Sequence, residues 1–188
     1  MLCLPLLALG CSVSSSPTGS PRAAEVTAPE PAALVGPTDR AGIEAAKPDW
    51  IEEIVLARPD AEVASRLLDV EPAEVVVYLG TWCSDSRREL SRLWRVLDDL
   101  PGPPPFALRY VAVDRDMREP RELLAGVDLR YVPTFVVERE GRELGRVIEV
   151  APSGIEGDLL DLLLGRTTGW ITARDDMPAS AAAGDPDG

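Results

Sequence analysis

Val75-Val76-Val77-Tyr78-Leu79-Gly80-Thr81-Trp82-Cys83-Ser84-Asp85-Ser86-Arg87-Arg88 is the stretch whose reading decides the fold. Its first five residues form a β-branched and aromatic run, which predicts a strand buried on both faces. From about Asp85 the pattern becomes helical: Leu90, Leu93, Trp94, Leu97 and Leu100 share one face, while Arg88, Arg92 and Asp99 take the rest. Cys83 therefore falls at a strand-to-helix junction. The first amides of a helix lack intrahelical partners and its dipole favours an anion, so a thiolate there is stabilised and more nucleophilic at neutral pH. Arg87 and Arg88 either add to that field or belong to a solvated face.

Upstream, Asp49-Trp50-Ile51-Glu52 has the pattern of a helix cap with a carboxylate three residues on, and Trp50, Ile51, Ile54 and Val55 form an apolar face. Arg58-Pro59 breaks that helix, and Asp60 starts a second piece carrying Val63, Ala64, Leu67 and Leu68, closed by Pro72. Downstream, Pro101-Gly102-Pro103-Pro104-Pro105 stops the helix that follows Cys83. Residues 106–113 predict a strand buried on both faces, and residues 120–125 a short helix. Residues 135–139 and 144–150, joined through Glu140-Gly141-Arg142-Glu143, predict an antiparallel hairpin. Ser153-Gly154-Ile155-Glu156 reads as a second capping box, opening a helix with Leu159, Leu160, Leu162, Leu163 and Leu164 before Gly165.

Composition narrows the chemistry. The 188 residues have room for one domain of ordinary size plus tails. A net charge of -13 argues against nucleic acid or an anionic membrane surface as partner. The chain has no histidine, so Ser-His and Cys-His catalysis within it are excluded, and Cys3, Cys11 and Cys83 have no zinc-type spacing; neither a metal nor a cofactor is expected.

Residues 1–11 are apolar and uncharged, too short for a membrane-spanning helix, and fit a signal-peptide core. Leu7-Ala8-Leu9-Gly10-Cys11 resembles a bacterial lipobox, which implies lipidation of Cys11 and a membrane tether; a cleaved secretory signal or a spurious N-terminus are the alternatives. Residues 12–48, rich in Ser, Pro, Ala and Gly without apolar periodicity, predict a flexible linker, and residues 173–188 a disordered tail.

Trp82-Cys83-Ser84-Asp85-Ser86 resembles the Trp-Cys-x-x-Cys active site of the thioredoxin superfamily, and Val132-Pro133-Thr134 before Phe135-Val136-Val137 resembles that family's cis-proline segment, which lies beside the catalytic sulfur. The order helix, strand, helix, strand, helix, strand, strand, helix agrees. The resemblance implies an α/β, thioredoxin-like domain over residues 49–172, a central mixed β-sheet flanked by helices. It implies Cys83, Ser86 and Pro133 as catalytic positions, and Trp82, Val132 and Thr134 as substrate contacts. Trp170 and Ile171 are expected to pack back on this domain.

Two residues depart from the family pattern. Ser86 stands at the place of the resolving cysteine, and Val77 at that of a buried aspartate. A hydroxyl can donate a hydrogen bond to a thiolate but cannot attack a mixed disulfide. The expectation is a monothiol, extracytoplasmic thiol-disulfide oxidoreductase working by exchange, isomerisation or deglutathionylation. Its partners are disulfide-containing or glutathionylated proteins and an external thiol reductant. A redox-inactive protein-binding module of the same fold is the alternative. A peroxiredoxin framework is absent before Trp82, and Glu89 stands where a phosphatase-like cysteine site needs an arginine.

Overall fold

The computed structural model describes residues 33–177. A six-stranded mixed sheet runs in the order β1-β3-β2-β4-β5-β6. Its central strand is β2 (Ala73–Leu79), parallel to β3 (Phe106–Ala112) and antiparallel to β4 (Thr134–Arg139). Beyond β4 lie β5 (Arg142–Ile148), antiparallel to it, and β6 (Gly169–Ile171), parallel to β5. The fold is α/β and thioredoxin-like.

Alternation along β2 divides the interior. Val75, Val77 and Leu79, all fully buried, face the larger core, while Val76 and Tyr78 face a smaller one. The larger core is covered by α2 (Trp50–Leu56), α3 (Ala61–Ser65), α4 (Ser84–Asp99) and α6 (Ile155–Leu163). Its aromatic centre is Trp94, 6.2 Å from both the Trp50 and Tyr110 rings, with its indole N–H donating to the Tyr110 hydroxyl at 2.9 Å. The smaller core, Val76, Tyr78, Val111 and Val136, lies under α5 (Arg121–Leu124) and the apolar residues Val127 and Leu129.

Several local expectations hold. Asp60 caps α3 by accepting from the amides of Glu62 and Val63, and α4 ends at the proline-rich stop. The hairpin forms, with a shorter connection than the four residues expected: Arg142 and Glu143 belong to β5, and the chain turns through Glu140 (φ 54°) and Gly141 (φ 74°), both left-handed, as a two-residue turn between right-twisted strands requires. Trp170 and Ile171 do return to the sheet, in β6.

Others are corrected. The linker predicted over residues 12–48 is folded where it is described: β1 (Gly36–Thr38) pairs with β3, and α1 (Arg40–Ala46) buries Ile43 completely. Composition hides this because a three-residue strand takes its stability from a partner edge, not from its own side chains. Asp39 caps α1, accepting from the Gly42 amide at 2.7 Å. Asp49 makes no cap bond; it is itself helical, and its carboxylate meets Arg87 instead. On the seven-residue α2 only Trp50 and Ile54 turn inward, leaving Ile51 and Val55 exposed.

The Ser153 capping box does not form. Gly154, at φ 77°, occupies the cap, and Glu156 leaves its own helix end to accept from the Asp60 amide and to pair with Arg92 of α4. The first half of β3 is solvated on one face, with Ala107 and Arg109 exposed, because α5 is too short to cover it. Of the predicted tail, Arg174 and Asp176 reach back to Glu149 and Tyr131; residues 178–188, like residues 1–11 with the lipobox-like Cys11 and the linker's first 21 residues, lie outside the described region.

Candidate functional site

β2 delivers the chain to the site. After Leu79 the backbone turns, the Cys83 amide donates to the Gly80 carbonyl at 2.9 Å, and α4 begins with Cys83 as its N-cap. The register of β4 brings the second wall: Thr134 pairs with Tyr78, so residues 131–133 arrive beside the turn. There the Cys83 thiol donates to the Val132 carbonyl, Sγ···O 3.2 Å, and the Val132-Pro133 bond is cis. Cys83 is partly exposed and unpaired; Val132 and Thr134 are buried.

The sulfur's contact differs from what the helix start alone suggests. Cys83 makes no side-chain bond to the first-turn amides of α4, and its hydrogen bond goes to the facing loop. Ser86, completely buried, accepts from the Gly80 amide at 3.2 Å, so its hydroxyl oxygen braces the turn from below. Val77 packs in the larger core at 0% exposure, with no room for the hydration a carboxylate needs.

Trp82 lies as a plate over Gly80. A Cβ added at Gly80 would come 2.6 Å from Trp82 Cε2, so only glycine lets the ring sit there. The indole N–H donates to the Val113 carbonyl at 3.2 Å, and the Arg115 guanidinium stands 5.5 Å from the ring centroid. Arg87 and Arg88 are held by carboxylates. Arg87 Nε is 2.7 Å from Glu53, and Arg88 bridges Asp85 at 2.7 Å and Glu89 at 3.0 Å. They form a neutralised face of α4.

Carboxylates behind the site titrate in opposite directions. Burial pushes Glu89 and Asp158 above the ordinary range. Burial pushes Glu156 the same way, but the Arg92 hydrogen bond and the amides of Asp60 and Glu156 outweigh it and hold its carboxyl below the usual range.

Sequence reasoning missed the site's outer supports. Thr81, buried, accepts from the Leu34 amide at 3.1 Å, tying the first described residues to the turn. The Thr134 hydroxyl donates to the Tyr131 carbonyl at 2.7 Å, and the Glu149 amide to the Pro133 carbonyl at 2.7 Å. Arg174 stacks on Tyr131. The signal available was Tyr131, an aromatic two residues before the proline; Leu34 and Arg174 sit in stretches whose composition says nothing of contact.

A separate groove, lined by Glu71, Ala73, Glu138 and Gly141 among others, opens at the start of β2, the far end of that strand from Cys83, and holds no thiol. Among the described residues no group of three or more metal-ligating side chains occurs, and no helix is long and apolar enough to cross a membrane.

No family model matches the chain. Over 88 residues it is 25% identical to mitochondrial thioredoxin-3 of Saccharomyces cerevisiae, a match covering 47% of this chain and 64% of the yeast protein. This distant homology supports a thioredoxin-like protein. Among solved structures, a Pseudomonas aeruginosa protein of unknown function matches at TM-score 0.42 and 19% identity, covering 68% of this chain and 82% of that one. An HIV epitope-scaffold matches at TM-score 0.41 and 20% identity, covering 68% and 78%.

Proposed function

We propose that this thioredoxin-like protein is a monothiol-disulfide oxidoreductase with Cys83 as its nucleophile. The observation that carries the reading is the partly exposed Cys83 sulfur at the head of α4, 3.2 Å from the Val132 carbonyl of the facing loop. Attack requires the thiol to give up its proton and, with it, the hydrogen bond to that carbonyl.

The thiolate attacks one sulfur of a substrate disulfide. A new bond joins Cys83 to that sulfur, the substrate S–S bond breaks, and the other half leaves as a thiolate that takes up a proton. Ser86 cannot reverse this step, so a second thiol must. Where an external thiol such as glutathione attacks the mixed disulfide, Cys83 is regenerated: with a glutathionylated substrate that single attack releases oxidised glutathione, whereas with a protein disulfide the external thiol stays joined to the substrate sulfur until a second one displaces it, so in both cases the two-electron reduction ends in the reductant's own disulfide. Where the substrate's second cysteine attacks, the disulfide is rearranged with no net electron transfer. The substrates are disulfide-containing or glutathionylated proteins, approached across Trp82 and the loop at Val132, Pro133 and Thr134. The lipobox-like ending at Cys11 extends the proposal to a lipid-anchored or periplasmic place in the cell envelope.

The test is turnover of a glutathionylated peptide with glutathione as reductant, in the wild type and in Cys83→Ala. Turnover lost in the variant supports the reading; equal rates in both contradict it. A binding module without turnover is the second reading, favoured by the fully packed Val77 and by Ser86's engagement with Gly80. It predicts that Cys83→Ala keeps its partner, and a disulfide-linked partner trapped only by the wild type would overturn it.

A further inference from the structure

Resting on the thiol-exchange reading above, we infer that Arg174 is a positioning residue that holds the loop of residues 131–134 against Cys83. The sheet delivers it there. β6 is parallel to β5, with Ile171 opposite Val147, so the chain leaves β6 at the same end at which β5 finishes and β4 begins.

Arg174 then grips both ends of the loop. Its guanidinium carbon lies 4.0 Å from the Tyr131 ring centroid, and Nη1 donates to the Glu149 carboxylate at 2.9 Å. Glu149, at φ 64°, donates its amide to the Pro133 carbonyl at 2.7 Å. Nε and Nη2 each reach Asp176 at 2.8 Å, and that carboxylate also accepts from the Tyr131 hydroxyl at 3.4 Å. Between the two held points is Val132, whose carbonyl meets the thiol.

The chemistry suits a clamp better than a stabiliser. Exposed ion pairs contribute little to folding, whereas a planar fork lies flat on an aromatic face while its edge bonds two carboxylates, one of them with two parallel N–H groups; an ammonium has the donors but neither the flat face nor the fork. Arg174 touches no reacting atom; its effect runs through the loop.

Full-length Arg174→Ala and Arg174→Lys test this with two readouts. The first is amide hydrogen exchange: in Arg174→Ala, exchange of the Glu149 amide, which holds the loop through the Pro133 carbonyl, is expected to quicken about tenfold, while β2 and α4 keep wild-type protection. The second is turnover of a glutathionylated peptide by glutathione, where Arg174→Ala is expected to lose about tenfold in kcat/KM, mostly through KM. Arg174→Lys restores only part of either effect. Unchanged exchange of the Glu149 amide overturns the inference, as does a loss spread over the whole domain. An inactive wild type with the localised exchange effect intact overturns the thiol-exchange reading but leaves the clamp standing.

Discussion

The two walls of the site are built differently. The turn of residues 80–86 is held mainly through Gly80, by the Cys83 amide, the Ser86 hydroxyl and the Trp82 ring, with two outer ties, Leu34 to Thr81 and Trp82 to Val113. The loop of residues 131–134 has one internal bond, Thr134 to Tyr131, and otherwise depends on residues far along the chain, Glu149, Arg174 and Asp176. Three contacts converging on Gly80 fix the Cys83 backbone largely within its own segment. The loop braced from a distance is the wall that residues outside the site can shift, and in the proposed function it is a wall that a substrate disulfide meets.

The largest expected effect breaks the turn. Gly80→Ala drives a methyl into the Trp82 ring, and kcat/KM for the glutathionylated peptide is expected to fall about a hundredfold, because misplacement by about an ångström costs that much. Wild-type activity in this variant would mean that Trp82 is not a wall of the site.

The next tests the helix that carries the turn. Glu156→Gln removes the charge facing Arg92, and denaturant unfolding at neutral pH is expected to show a loss of about 2 kcal/mol, less than outright deletion of a buried partner because the amide retains an acceptor. Glu156 has a depressed folded pKa, so its stabilisation is present above the unfolded pKa and lost as pH falls through the folded one. Glu89 and Asp158, pushed up by burial, work oppositely and gain stability on protonation. The difference between wild type and Glu156→Gln therefore shrinks as pH falls through the depressed folded pKa of Glu156, and a constant difference across the acid limb would contradict the pairing.

Smaller effects sharpen the contrast. Ser86→Cys weakens the bond to the Gly80 amide, at a cost of about 1 kcal/mol, but supplies a resolving thiol, so reduction of insulin disulfides is expected to rise. Thr134→Val removes the loop's one internal bond and is expected to cost about 1 kcal/mol in a thermal or denaturant melt, with a smaller loss of turnover than Gly80→Ala. A larger loss than Gly80→Ala would invert the comparison.

The turn was legible in the sequence because its determinants are consecutive: an apolar run, a tryptophan, a cysteine and a helical face in one stretch. Val132-Pro133-Thr134 was legible as a motif, but its supports were not, since Glu149 and Arg174 meet it only after β5 and β6 have been placed. The same reason explains β1 and α1, read as linker from composition and folded in fact onto β3 and the core. Capping was misread where a tertiary partner competed: Asp49 went to Arg87, and Glu156 to Arg92 and Asp60. Local pattern cannot see a partner 64 residues away.

The proposed function turns on the reactivity of one sulfur. The most direct measurement is the rate at which oxidised glutathione forms an adduct mapped to Cys83 in the native protein, set beside the rate for a free peptide spanning residues 81–88. The proposed function predicts faster adduct formation in the protein and its release by added thiol; a rate no greater than the peptide's, or an adduct that added thiol cannot release, would contradict it.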